Sequence, residues 1–143
     1  LLLAIPAEYD TIIKYNFGCR CFMAIWHEKK NECFVIHVDE TDLTEEILDR
    51  MRQVLTVAFL SRQYNLILDL SACLMIDSYF IGLLISTYRE VKELGGNLKC
   101  VGVSGQVAHA FEVIRLNQVI DVCTSVDEAV ALFGSIEKEK KEN

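Results

Sequence analysis

The sequence predicts an α/β fold: a mixed, mostly parallel β-sheet of about four to five strands with about four α-helices, in the order β-β-α-β-α-β-α-β-α. Three observations lead there. Short apolar runs such as Leu66-Ile67-Leu68-Asp69-Leu70 have the composition of strands buried on both faces of a sheet. Segments with helical periodicity alternate with these runs, which implies parallel pairing through right-handed crossovers. A polar turn separates the first two apolar runs, so the fold opens with a β-hairpin.

Taken in order, residues 1–18 are punctuated by Pro6 and Gly18 and form an N-terminal extension or an extra strand. Cys19 to Trp26 reads as a strand, Glu28 to Glu32 as the turn, and Cys33 to Val38 as the second strand. Asp42 with Glu45 three residues later has the spacing of a capping box. The helix after it carries Ile47, Leu48, Met51, Val54, Leu55, Ala58 and Phe59 on one face and ends near Ser61.

The central strand, Leu66 to Leu70, leads through a short loop to a helix beginning near Ser78. Ile81, Leu84, Ile85, Tyr88 and Val91 are its expected buried stripe, and Gly95-Gly96 ends it, because glycine takes left-handed backbone without steric cost. Leu98 to Val103 is the next strand, Gly105 to Leu116 a helix with Val107, Ala110, Phe111 and Ile114 inward, and Val119 to Val122 a short strand. Ser125 with Glu128 forms a second capping box, opening the last helix. The tail Glu137 to Asn143 is charged and expected to be flexible. With no internal repeat or linker, residues 1–143 form a single domain, which buries roughly two-thirds of its unfolded surface.

Composition narrows the function. The net charge is −7, from 14 basic and 21 acidic side chains, which argues against nucleic acid as a direct partner. No apolar run approaches the ~20 residues needed to span a bilayer. Leu1-Leu2-Leu3 is too short for a signal peptide and lacks its charged flank. The chain opens on Leu1 rather than Met, which leaves open a fragment of a longer protein. Of its six cysteines, Cys33, Cys73, Cys100 and Cys123 lie in or beside apolar runs, where a free thiol packs as a small hydrophobe. A cytoplasmic, reducing location is expected.

Catalytic patterns fail. Gly102-Val103-Ser104-Gly105-Gln106 misses the last glycine of a nucleophile elbow, and neither phosphate-binding glycine loop is present. His27, His37 and His109 give no argued pairing with Ser78. Cys19, Cys21, Cys33, His27 and His37 share the hairpin, but C-x-C on a strand is a poor match to a zinc site, and cysteines packed on a sheet face are the favoured reading. No cofactor, metal or catalytic residue is expected.

Asp77-Ser78 is the informative pair. A hydroxyl just past a central strand, at a helix start, is a helix cap in its plain reading. Its functional reading is a phosphorylation site, because a helix N-terminus carries a phosphate well.

Asn65 to Gly82, followed by Gly95 to Ser104, resembles the STAS domain (sulphate transporter and anti-sigma factor antagonist). In that family a strand ending D-L-S leads to D-S-S-G-L and a helix, then G-G and a strand ending near V-G-x-S. The matches are Asp69-Leu70-Ser71, Asp77-Ser78, Gly95-Gly96 and Val101-Gly102-Val103-Ser104, with Ser125-Val126-Asp127-Glu128-Ala129 at the closing S-x-x-E-A. The resemblance covers about Cys33 to Phe133.

It implies a STAS-like fold and a partner-switching regulator. In its unphosphorylated form such a protein binds a serine kinase that is also an anti-sigma factor. Phosphorylation of the serine of D-S releases it, and a serine phosphatase resets the cycle. Carried over, Ser78 is the phosphoacceptor, Asp77 is its motif neighbour, and Asp42 falls where the family has the Asp of G-E-L-D. Asp77, Ser78, Tyr79, Phe80, Ile81 and Asp42 are then the expected partner-binding residues.

The chain departs from the pattern. Tyr79 replaces the family's second serine, Phe80 its glycine, Asp39 the glycine of G-E-L-D, and Arg115 a glycine after the third helix. Tyr79 and Phe80 would enlarge an apolar docking surface or block the usual kinase, unless they pack in the core. A constitutive scaffold or transporter-associated module, a nucleotide or small-ligand sensor, and a homodimer stay open as alternatives.

Overall fold

The computed structural model describes residues 25–142, with side chains through Ser135. The expectations for residues 1–18 and for Cys19 and Cys21 lie outside this range. The described chain has the predicted order, with five strands and four α-helices.

The hairpin is β1 (Ile25–Lys30) and β2 (Cys33–Val38), antiparallel in the register Ile25↔Val38 to Lys30↔Cys33. This corrects the expected boundaries. The strand extends to Lys30, and the turn is Asn31-Glu32 rather than Glu28 to Glu32. Asn31 makes the tight reversal with φ 56°, a left-handed conformation that asparagine tolerates. Glu28 stays in the strand because its carboxylate has a cross-strand partner in His37, Oε1 to Nε2 at 3.0 Å.

Helix α1 (Glu45–Leu60) follows. Its cap is Thr44, whose hydroxyl accepts from the Ile47 amide at 3.4 Å, and not Asp42. Asp42 is instead engaged through its backbone, in an isolated parallel bridge to Met75. The expected apolar face is buried apart from Phe59, which packs at its margin.

Strand β3 (Asn65–Asp69) pairs in parallel with β2 and with β4 (Asn97–Val101), and β4 pairs in parallel with β5 (Asp121–Cys123), giving the order β1-β2-β3-β4-β5. Helix α2 (Ser78–Glu93) connects β3 to β4. Helix α3 (Gly105–Val113) ends three residues before the predicted Leu116. There Arg115, at φ 60°, turns the chain into a 3₁₀ turn over Leu116–Gln118. The left-handed backbone at Arg115 accounts for a glycine at that place in the resembled pattern. As a result Ile114 is exposed rather than inward, and Leu116 and Ile120 seal the end of the core. Helix α4 is Val126–Glu142. The Ser125 hydroxyl accepts from the Glu128 amide at 3.1 Å, and the Glu128 carboxylate reaches back to the Thr124 amide at 2.9 Å.

The sheet divides the core in two. On one face Phe34, Ile36, Val38, Leu66, Leu68, Leu98 and Cys100 pack against α1, α2 and α3. On the other, Cys33, Val35, Ile67, Val101 and Cys123 meet Ala129 and Phe133 of α4. Alternating side chains of a strand point to opposite faces, and here both faces are covered, which explains the near-continuous apolar runs. Each fully buried aliphatic side chain contributes about 1.5–3 kcal/mol. Lys99 is buried on the α4 side, with Nζ 2.6 Å from Asp121 and over the Phe133 ring at 5.1 Å. Its ammonium is thereby paired and its stem packs as a hydrophobe.

Candidate functional site

The loop from Leu70 to Asp77 leaves the C-terminal end of β3 and delivers α2. Its first turn is built by Asp69, whose Oδ1 accepts from both the amide (3.0 Å) and the hydroxyl of Ser71. Asp69 Oδ2 lies 2.8 Å from His37 Nδ1, and Trp26 stacks on the His37 ring at 3.9 Å. Trp26 Nε1 in turn donates to Asp39 at 2.7 Å. The replacement of glycine by Asp39 thus has a local role on the hairpin. Gly102, at φ 71°, lies against Ser71. A Cβ there would stand 2.7 Å from Ser71 Cα, so the close approach requires glycine.

Burial alone would raise the Asp69 pKa. The hydrogen bonds from the Ser71 hydroxyl and amide and from His37 outweigh it and hold the carboxyl below the usual aspartate value. A carboxylate with a depressed folded pKa contributes stability that is full above its unfolded pKa and is lost as pH falls through the folded one. The stability gap between wild type and Asp69→Asn is therefore expected to shrink as pH falls below about 4. Urea unfolding at a series of pH values checks this, and a gap independent of pH down to acid unfolding would contradict it.

The loop is held against a second segment by main-chain bonds. The Leu74 amide donates to the Thr41 carbonyl at 3.0 Å, and Met75 bridges Asp42. Asp42 is exposed, and its bridge to Met75 places it beside the loop that leads to Ser78.

At the junction, Asp77 is the N-cap of α2, its carboxylate accepting from the Phe80 amide at 2.9 Å. Ser78 is the first helical residue, and it is exposed with no hydrogen-bond partner for its hydroxyl among the described residues. The capping role considered for Ser78 is therefore filled by Asp77. The first turn of α2 holds no acidic residue, so the Asp77 carboxylate at the cap supplies the negative charge that this helix end favours.

The two aromatics part ways. Tyr79 is 75% exposed, whereas Phe80 is 1% exposed and fills the space between α2 and the sheet. Phe80 is thus corrected from a contact residue to a core residue. The buried stripe of α2 is rotated accordingly. Phe80, Leu84, Thr87 and Val91 are buried, while Ile81, Ile85 and Tyr88 are half-buried. Thr87 is accommodated because its hydroxyl donates to the Leu83 carbonyl at 2.8 Å.

The sequence reading missed Leu74 (64% exposed) and Met75 (55% exposed), which flank the junction. Their signal was an apolar Leu-Met-Ile run in a loop otherwise marked by small and polar residues. Glu45, Leu48 and Arg52 of α1 line a groove with Asp77 and Tyr79. The arrangement is an exposed serine at a capped helix start, with exposed Leu74 and Met75 in the loop before it and exposed Tyr79 next in the chain. Among the described residues there is no group of three or more His, Cys, Asp or Glu placed to hold a metal ion. Nor is any helix among them long and apolar enough to cross a membrane.

The family model of the STAS domain matches residues 25–129. No curated protein sequence matches the chain. Several solved structures share its fold. A STAS domain protein described as an anti-sigma-factor antagonist, from Planctomyces limnophilus, is 20% identical, with TM-score 0.70 over 77% of this chain and 97% of its own. A variant of RsbS from Moorella thermoacetica is 16% identical, with TM-score 0.69 over 80% and 97%. The anti-sigma factor antagonist SpoIIAA in its unphosphorylated form is 20% identical, with TM-score 0.66 over 78% and 97%.

Proposed function

Since this chain belongs to the STAS domain family, we propose that it is a non-enzymatic, cytoplasmic partner-switching regulator of the anti-sigma factor antagonist kind, with Ser78 as its phosphoacceptor. The observation that carries this is the exposed, unpartnered Ser78 hydroxyl on a helix whose cap is already made by Asp77. Unphosphorylated, the surface of Leu74, Met75, Asp77, Tyr79 and Ile81, with Asp42 beside it, binds an anti-sigma factor that is also a serine kinase. The partner transfers phosphate to Ser78. A group of about −1.5 to −2 charge then sits at the helix start, which tolerates it, so the fold persists. What fails is the interface, because apolar contacts around Ser78 can close only by stripping water from the phosphate. A serine phosphatase restores the starting state.

Affinity capture from the source lysate with wild type, Ser78→Ala and Ser78→Asp tests the reading. A serine kinase or anti-sigma factor is expected on wild type and Ser78→Ala and at least about tenfold depleted on Ser78→Asp. Equal capture by all three would overturn it and leave a constitutive scaffold.

A further inference from the structure

We propose that Tyr79 selects the partner, and that this partner presents an apolar pocket for the tyrosine ring within a rim of arginine or lysine side chains. The inference rests on the docking role proposed above for this surface and names the chemistry of what docks there.

The apolar part gathers at one strand-to-helix junction. Tyr79 is 75% exposed, and Leu74 and Met75, in the loop that leads to it, are exposed as well. The backbone ties of this loop to Thr41 and Asp42, and the groove shared with Leu48, join these side chains to the start of α1. A rigid aromatic carried on a capped helix loses little conformational freedom on binding, which suits it as an anchor.

The rim is acidic on balance. Glu45 and Asp77 line the groove together with Arg52, which is paired to Asp49, and Asp42 lies in the adjoining segment. None of the three has a cationic partner among the described residues. The nearby arginines are turned to acids of their own helix, Arg50 to Glu46 at 3.1 Å and Arg52 to Asp49 at 2.7 Å. Charge complementarity to Glu45, Asp77 and Asp42 therefore calls for a basic rim, which can also set a cation over the tyrosine face. An acidic protein, a nucleic acid or an anionic membrane meets like charge instead.

The two parts divide the work. Rim charges steer encounter and make binding salt-dependent, whereas the buried ring governs how long the complex lasts. A partner pocket shaped for the serine that the resembled motif has at this position excludes the ring, so Tyr79 also rejects such partners.

Amide-resolved NMR of the full chain, titrated with two synthetic amphipathic peptides, tests this without any phosphorylation step. One peptide is built of leucine and arginine, the other of leucine and glutamate. The basic peptide is expected to shift signals within residues 39–52 and 74–81, and to lose at least about tenfold in affinity between about 50 and 300 mM salt. Tyr79→Ser is expected to weaken it about tenfold with the salt dependence intact. Asp42→Lys combined with Glu45→Lys is expected to flatten that dependence. These residues are exposed, and the amide spectrum of each variant reports whether its fold is kept. Equal binding of both peptides, shifts centred elsewhere, or unchanged affinity in Tyr79→Ser would overturn the proposal. None of these outcomes depends on Ser78, so they stand apart from failure of the phosphorylation cycle.

Discussion

Phe80→Ala is expected to destabilise the domain by about 3–5 kcal/mol, the usual cost of deleting a buried phenylalanine. The ring is the first side chain of α2 to enter the core, and Ile36, Met51, Leu55, Leu68, Leu84 and Leu98 line the same interior space. These come from α1, α2 and three strands, so no single rotamer change can fill the void. The urea midpoint is expected to fall with little change in slope. Tyr79→Ala is the paired control: one residue away and largely exposed, it is expected to change stability by no more than about 0.5 kcal/mol. Comparable losses in the two variants would contradict the division between a buried aromatic and an exposed one.

Gly96→Ala is the second large effect. An added Cβ would stand 2.5 Å from the Tyr64 carbonyl carbon and 2.6 Å from Tyr64 Cβ, closer than real side chains come. The position cannot simply relax. The Gly96 amide donates to Val91 O at 2.7 Å to close α2, and the next amide, Asn97, donates to Tyr64 O at 3.1 Å where β4 joins β3. Alanine must open one of these joints, at a cost of about 2–4 kcal/mol. A fall in melting temperature of roughly 8–16 °C is expected. Gly82→Ala is the contrast, since no atom lies within 4 Å of its added Cβ. In a helix interior that change is neutral or stabilising by up to about 1 kcal/mol. A Gly96→Ala protein as stable as wild type would mean that Tyr64 yields more easily than its backbone bonds suggest.

The order of the elements was legible because each carries its own periodicity. The two-face burial of β3 and the stripe of α1 are written within a few residues. What the sequence concealed depends on contacts between distant segments. Asp42 and Thr44 are both good cap residues. Thr44 takes the role because Asp42 is engaged by Met75, far along the chain. Phe80 and Tyr79 are adjacent aromatics, and local composition does not say which faces inward. The position of the Asp77 cap fixes the phase of α2, and that phase buries Phe80. The exposure of Leu74 and Met75 was hidden for the opposite reason: hydrophobicity predicts burial, and only the path of the loop shows them outside. Ser78 was legible through its motif and its place after the central strand. That its hydroxyl is not the cap required the structure.

The loop bearing Leu74 and Met75 is tied to the start of α1 by main-chain groups, the Leu74 amide to the Thr41 carbonyl and Asp42 to Met75. Backbone bonds are indifferent to side-chain identity. The backbone that places Ser78 is therefore insulated from side-chain changes in the exposed positions around it. Substitutions at positions 42, 74, 75 and 79 can accumulate without moving the serine or melting the helix behind it. If Ser78 and this surface act as proposed, duplicated copies of such a gene are free to drift toward separate partners while keeping one shared switch, at little structural risk.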